Sequence, residues 1–150
     1  MPDELMNSLT KTIITAALSA LALTTTNAQT ESAAKTHRIV FEVTMEGTEQ
    51  WTGVLNNVEN ARKSLGDSTE IEVVAHSKGL GMLVAKDNSL ADRIKKLANE
   101  GVVFAACENT MKKKNVTKDQ LLPSATTTDS GVAEVVRKQE AGWSYLKSGI

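Results

Sequence analysis

The stretch Val102-Val103-Phe104-Ala105-Ala106-Cys107-Glu108-Asn109-Thr110-Met111 runs from apolar residues into the only cysteine of the chain, and then into polar residues. An apolar run rich in Val and Phe is typical of a strand covered on both faces, as in a parallel sheet. The polar residues after it predict the start of a helix. Cys107 is therefore expected where a strand delivers a thiol to a helix amino terminus, a position that favours the thiolate.

Outward from this stretch, segments with strand character alternate with segments of helical periodicity. Alternation of this kind predicts an α/β domain built on a mainly parallel sheet. We expect Thr48, Ser89 and Ser130 to cap three of the helices, and residues 80–85 fit either a short helix or a strand. The predicted strands are 38–43, 70–75, 102–107 and, more weakly, 125–128; the predicted helices are 48–65, 89–100, 109–114 and one that begins after Ser130 with Val132, Val135, Val136, Trp143 and Leu146 on one side.

The amino terminus predicts an export signal. Lys11 precedes an apolar run over 12–23, and Thr26 and Ala28 are small residues suited to signal-peptidase cleavage. We therefore expect a signal peptide at 1–28, a short tether at 29–36 and one domain at 37–150, in a periplasmic or secreted protein. The start codon stays open between Met1 and Met6, because Asp3 and Glu4 place negative charge where a signal prefers positive charge.

Composition narrows the classes of partner. At 150 residues and 41% apolar content the chain fits one globular domain. Without residues 1–28 its acidic and basic residues balance, so no charge field attracts nucleic acid or an anionic membrane. No other apolar run approaches the roughly 20 residues of a membrane span. We expect no nucleic-acid partner and no membrane association after signal cleavage.

Cys107 and His76 are the candidate reactive residues. Both follow strands, and sites in open parallel sheets form beyond the carboxyl ends of the strands. A single cysteine cannot form an internal disulfide, so Cys107 is shielded, paired with another molecule, or chemically used. His76 is a candidate base or electrostatic partner, or only a structural cap. The residues expected to surround a ligand are Gly79, Glu108, Asn109 and Thr110.

Two further features bear on this site. Glu108 is next to the cysteine and would oppose formation of a thiolate. A metal site is not expected, because His37 begins its strand at the opposite edge and leaves only Cys107 and His76 as good ligands. No motif for a cofactor is present, so none is predicted. Trp51 and Trp143 are interpreted as packing anchors.

Five segments together resemble the DsrE/DsrF-like family of sulfur-relay proteins, and in particular its small exported members. The resemblance implies a three-layer α/β/α fold with about five parallel strands, usually assembled as a trimer or hexamer. It also implies that the cysteine at the position of Cys107 carries a persulfide between partner proteins. The segments that carry it are 73–76 with Gly79-Leu80, 101–111, 121–123, 130–135 and 142–145.

These observations lead to one preferred function and one alternative. The preferred hypothesis is an exported, thiol-based sulfur (persulfide) carrier or redox protein that uses Cys107, closer to a carrier than to a classical enzyme. Its partners would be further copies of itself and a protein that donates or accepts sulfur. The alternative is a non-catalytic oligomeric protein that binds a small ligand or has a structural role, with Cys107 buried and inert.

Overall fold

The computed structural model describes residues 36–148; the predicted signal peptide and residues 29–35 of the tether lie outside this range. None of the described helices is long and apolar enough to cross a membrane. The strands are β1 (Arg38–Val43), β2 (Glu70–Ala75), β3 (Val103–Cys107), β4 (Thr126–Thr128) and β5 (Ser144–Ser148), and the α-helices are α1 (Thr48–Leu65), α2 (Ala91–Asn99), α3 (Glu108–Lys114) and α4 (Gly131–Glu140), with 3-10 segments at Ser77–Leu83 and Lys118–Gln120.

The five strands form one parallel sheet in the order β4-β3-β2-β1-β5. In this register Cys107 lies beside Thr128, and Ala75 lies between Val43 and Ala106. The carboxyl ends of all five strands therefore meet at one edge of the sheet. The α/β fold with a parallel sheet of five strands is confirmed.

The two faces of the sheet are covered unequally. Phe41 and Phe104 are fully buried in a large apolar cluster with α1, α2, α3 and the first 3-10 segment. Burial of each such side chain stabilises the fold by roughly 1.5–3 kcal/mol. On the opposite face, α4 contributes Val135 to a small cluster with Val40, Val74 and Ala105. One helix therefore covers the face on which Cys107 and His76 alternate with apolar residues.

Two predicted helix caps are wrong and one is confirmed. Gly47, not Thr48, is the residue before α1, and the Thr48 hydroxyl does not cap it. At α2 no side chain caps the helix, so Ser89 does not; instead the side-chain oxygen of Asn88 accepts the N–H of Leu90 (3.0 Å) in the turn before the helix. Ser130 does cap α4, accepting the N–H of Ala133 (3.4 Å). Asx turns and helix caps use the same residue types, and this explains the wrong prediction at α2.

The predicted extension of the last helix through Leu146 is wrong. The helix α4 ends at Glu140, Gly142 takes a left-handed conformation (φ 83°), and the chain enters β5 beside β1. Only Val135 of the predicted apolar side is buried, whereas Val132 and Val136 are 60% and 46% exposed. A helix resting on a sheet through a narrow stripe leaves the neighbouring valines in solvent.

Candidate functional site

Cys107 is the last residue of β3 and directly precedes the first residue of α3. Its backbone is extended, so strand passes into helix with no intervening loop. The residue is only 4% exposed. The thiol therefore occupies the predicted position, at a strand end that is shielded from bulk water.

Hydrogen-bond donors from two helices converge on the Cys107 sulfur. The hydroxyl and the N–H of Thr110 come from α3, and the N–H of Gly131 comes from the start of α4. The N–H of Asn109 also acts on the sulfur, but it donates its hydrogen bond to the carbonyl of Asp129 (3.3 Å). The Thr110 oxygen also accepts the N–H of Ser77 (3.1 Å), which leaves the hydroxyl proton free to be donated to sulfur. Donors in this arrangement stabilise a negative charge on sulfur.

The electrostatic balance at Cys107 lowers the pKa of its thiol. Burial raises the pKa of the thiol because it removes water from the charged form. The hydrogen bonds from Thr110 and Gly131 and the N–H of Asn109 act in the opposite direction and outweigh burial, so the pKa lies below its ordinary value. A thiol of this kind is a better nucleophile near neutral pH than an ordinary buried cysteine.

The carboxylate of Glu108 is engaged by other groups. It accepts a hydrogen bond from the hydroxyl of Thr127 (2.8 Å) and pairs with Lys118 (3.1 Å). These two contacts hold the pKa of Glu108 below its ordinary value. Because Lys118 compensates the charge, the opposition to a thiolate expected from Glu108 is reduced. Its predicted role in ligand binding stays a prediction.

His76 lies at the same edge, but no hydrogen bond joins it to Cys107. Its Nε2 contacts a carboxylate oxygen of Glu42 (2.8 Å), and its Nδ1 contacts the hydroxyl of Ser77 (3.0 Å). The ring packs against Gly131, where an added Cβ would come within 2.9 Å of the histidine side chain. His76 therefore touches the residue whose N–H binds the sulfur, and reaches Cys107 indirectly.

Glu42 and Tyr145 extend this network across the sheet. The Tyr145 hydroxyl donates to the second oxygen of Glu42 (2.5 Å), which raises the pKa of Tyr145 to about 12. Burial raises the pKa of Glu42, but the hydrogen bonds from Tyr145 and His76 outweigh it and hold that pKa below its ordinary value. An ionised Glu42 therefore fixes the orientation of the His76 ring.

Sequence reasoning missed Glu42, Tyr145, the Thr110 hydroxyl and the N–H of Gly131. Glu42 could have been found from the sequence. Parallel pairing of 38–43 with 70–75 places its side chain near His76, the residue that follows the second strand. Gly131 follows the correctly predicted cap Ser130, but its closeness to Cys107 depends on β4 lying beside β3.

Gly79 and Ser77 shape the turn after β2. A Cβ at Gly79 would lie 2.1 Å from the carbonyl oxygen of Val43, so only glycine fits there. Ser77 takes a left-handed conformation (φ 54°) that is uncommon for a residue with a side chain. This conformation presents its N–H to Thr110 and its hydroxyl to His76. The predicted ligand contact of Gly79 stays a prediction beside this packing role.

Among the described residues, no group of three His, Cys, Asp or Glu side chains is placed to hold a metal ion. His37 precedes β1, and its carbonyl accepts the N–H of Glu70 at the amino ends of the strands. It lies at the edge opposite Cys107, as expected.

Comparisons with known proteins give a family and a fold. Residues 11–148 match the model of the DsrE/DsrF-like family. A search of curated proteins finds no match. The structure of MTH1491 from Methanobacterium thermoautotrophicum, a protein of unknown function, is similar at 33% identity with a TM-score of 0.70, over 74% of this chain and 98% of that one.

Two further solved structures share the fold at low sequence identity. The ychN protein from E. coli matches at 10% identity with a TM-score of 0.63, over 75% of this chain and 99% of that one. The protein of unknown function BT1422 from Bacteroides thetaiotaomicron matches at 12% identity with a TM-score of 0.59, over 73% and 93% of the two chains.

Proposed function

Because the chain belongs to the DsrE/DsrF-like family, we propose that it is a thiol-based sulfur carrier in which Cys107 accepts a sulfane sulfur and hands it on. The observation that supports this proposal is the position of the Thr110 hydroxyl and of the N–H groups of Thr110 and Gly131 beside one sulfur, where they lower the pKa of the thiol. An inert structural cysteine has no need of donors that stabilise its charged form.

The transfer needs no external oxidant. The Cys107 thiolate attacks the terminal sulfur of a donor persulfide, R–S–SH. A new S–S bond forms at Cys107, the S–S bond of the donor breaks, and the donor leaves as the thiolate R–S⁻. The reverse sequence, with an acceptor thiolate attacking the outer sulfur, regenerates Cys107. The donors from α3 and α4 stabilise the negative charge on the Cys107 sulfur before loading and after release.

The reactivity of Cys107 tests this function. We expect alkylation by iodoacetamide at a pH below that of an ordinary thiol, and a reversible mass gain of one sulfur after treatment with a small persulfide donor. Cys107→Ser removes the mass gain. Thr110→Val removes one donor to the thiolate and slows alkylation at neutral pH about tenfold, whereas Thr110→Ser keeps the hydroxyl and the rate.

A thiol that reacts only after unfolding would refute the carrier function and favour the binding or structural alternative. Equal alkylation rates for Thr110→Val and Thr110→Ser would show that the hydroxyl does not act on the sulfur. Because Cys107 is 4% exposed, a bulky disulfide reagent should react more slowly than iodoacetamide at the same pH.

We further propose that the protein forms a homo-oligomer through the face that α4 covers only in part. Val132 and Val136 are one helical turn apart and 60% and 46% exposed, and Val103 of β3 is 41% exposed. Exposed apolar side chains clustered on one element are typical of an interface.

The double variant Val132→Lys with Val136→Lys is expected to lower the molar mass measured by light scattering to that of a monomer. The control is Asn57→Lys with Asn60→Lys, because both residues are exposed on α1, which packs against the other face of the sheet. An unchanged mass in the Val132 and Val136 double variant would contradict this interface.

Export to the periplasm or beyond is part of the same proposal. Its basis is the sequence pattern of residues 1–28. Mass spectrometry of the protein from an exporting host should show an amino terminus near Gln29. A product that keeps residues 1–28 in the cytoplasmic fraction would overturn it.

A further inference from the structure

A cavity of about 620 Å³ opens at the carboxyl edge of the sheet, beside the first turn of α1. Its walls come from the segments that follow β1 and β2, from the loop 84–90 and from the end of α3. Neither Cys107 nor His76 lines it. The volume lies in the range of small-molecule sites, so this cavity is a second candidate site, separate from the thiol.

Trp51 forms a fixed aromatic wall of the cavity. Its indole N–H donates to the carbonyl of Met45 (2.9 Å). The far edge of its six-membered ring packs on Gly81, where an added Cβ would come within 2.9 Å of a ring carbon. The indole is therefore held at both ends and remains half-buried. Trp51 is a packing anchor in the prediction from sequence, and in the structure its ring also offers a surface on which a planar group can stack.

The loop that forms the opposite wall is held by Asn88. Its side-chain N–H₂ donates to the carbonyls of Met82 (2.9 Å) and Val84 (2.8 Å), and its oxygen accepts the N–H of Leu90 (3.0 Å). Three hydrogen bonds from one side chain fix the loop. The cavity therefore exists before a ligand binds, which reduces the entropy that binding must overcome.

The charges around the cavity favour an anion. Its lining includes three lysines, Lys78, Lys86 and Lys114, and two carboxylates, Glu46 and Asp87, so one positive charge is in excess. Lys78 pairs with Glu46 (2.9 Å), and the pKa of Glu46 is lowered by the hydrogen bond and charge of Lys78 and by the charge of Lys114. In the described part of the chain, Lys86 and Lys114 form no ion pair. These two ammonium groups are therefore available to a ligand.

We propose that this cavity binds a small aromatic anion, with its ring against Trp51 and a carboxylate or sulfonate facing Lys86 and Lys114. The ring and the lysines supply different parts of the affinity: stacking selects a planar body, and the ammonium groups select the charge. The half-buried apolar side chains of Val84, Leu90 and Val116 line the rest of the cavity. They disfavour a fully polar ion such as phosphate.

Fluorescence of Trp51 gives a direct test. The chain has two tryptophans, so Trp143→Phe leaves Trp51 as the only one. In this background 4-nitrobenzoate should quench the emission to a plateau, while the neutral 4-nitrobenzamide should bind at least fivefold more weakly. Lys114→Ala should weaken binding of the benzoate about fivefold. Lys113→Ala, one residue away and outside the cavity, is the matched control and should change it less than twofold.

Calorimetry on the wild-type protein repeats the titration without the tryptophan substitution, in case Trp143→Phe does not fold. Cys107→Ser should bind 4-nitrobenzoate as the wild type does, so failure here and failure of sulfur transfer are distinguishable. Quenching without a plateau, equal binding of benzoate and benzamide, or equal effects of Lys114→Ala and Lys113→Ala would each overturn the proposal.

Discussion

Gly79→Ala is expected to lower the free energy of unfolding by at least about 3 kcal/mol, a large part of the roughly 5–15 kcal/mol typical of a whole domain. The added Cβ would lie 2.1 Å from the carbonyl oxygen of Val43 and 2.5 Å from its carbonyl carbon. Both atoms belong to the backbone at the end of β1, so no side-chain rotation relieves the clash. Urea unfolding of variant and wild type measures the difference.

Gly53→Ala is the matched control. Gly53 lies within α1, and an added Cβ there meets nothing within 4 Å. Alanine is the better helix former, so this variant should gain about 0.5–1 kcal/mol. An unchanged urea midpoint in Gly79→Ala would mean that the turn after β2 can move away from β1 at little cost. The network of Ser77 and His76 in that turn would then be less rigid than its contacts indicate.

Local sequence signals were enough to predict most of the sheet. The segments 38–43 and 70–75 are rich in β-branched residues, and the observed strands begin and end at the predicted residues. The fifth strand was missed because Tyr145 and Leu146 are 38% and 44% exposed. Its conformation depends on pairing with β1, a contact about one hundred residues away in the chain, which no local pattern reports.

The position of the reactive cysteine could be predicted from local sequence, but its neighbours in the site could not. Cys107 combines a strand end and a helix start within one short segment, so its position followed from local residues. The neighbours that act on it do not: Gly131 and Glu42 reach the site through the strand order β4-β3-β2-β1. An alternating pattern of strands and helices predicts parallel pairing but leaves this order open.

Glu72 is the clearest residue for which local pattern and structure differ. In the sequence Glu70-Ile71-Glu72-Val73 it alternates with apolar residues, as a solvent-facing side chain does. In the structure it is 5% exposed beneath α4 and pairs with Lys138 (2.5 Å). Burial raises the pKa of Glu72, and the hydrogen bond and charge of Lys138 only partly oppose this effect. A partner 66 positions later in the chain makes this burial tolerable.

Lys138→Met is therefore expected to destabilise the protein by about 3 kcal/mol at neutral pH, because it leaves a buried carboxylate without its cation. The Lys138 side chain is 24% exposed, which places the effect at the low end of the range for buried pairs. Glu134 also raises the pKa of Glu72, and Arg137 opposes it. Arg137 remains in the variant, but it already pairs with Glu134 (2.8 Å) and Asp129 (2.6 Å).

The loss of stability in Lys138→Met should increase as the pH rises. Glu72 has a higher pKa in the folded than in the unfolded state, so folding takes up a proton and stability falls as the pH rises between these two pKa values. Removal of Lys138 raises the folded pKa further and widens this window. The stability difference between variant and wild type should then be small below the unfolded pKa of Glu72 and grow towards neutral pH.

The double variant Glu72→Leu with Lys138→Met separates charge from packing. Replacing both members of a buried ion pair by apolar residues is often neutral, so its stability should lie close to that of the wild type at neutral pH. If the single variant loses the same stability at low and at neutral pH, the cost comes from the lysine stem packed on Trp143, whose ring centre lies 4.2 Å from the ammonium group. In that case Glu72 is protonated or hydrated beneath α4 when its partner is missing. The ion pair then does not stabilise the position of α4, whose first residue is Gly131, beside Cys107.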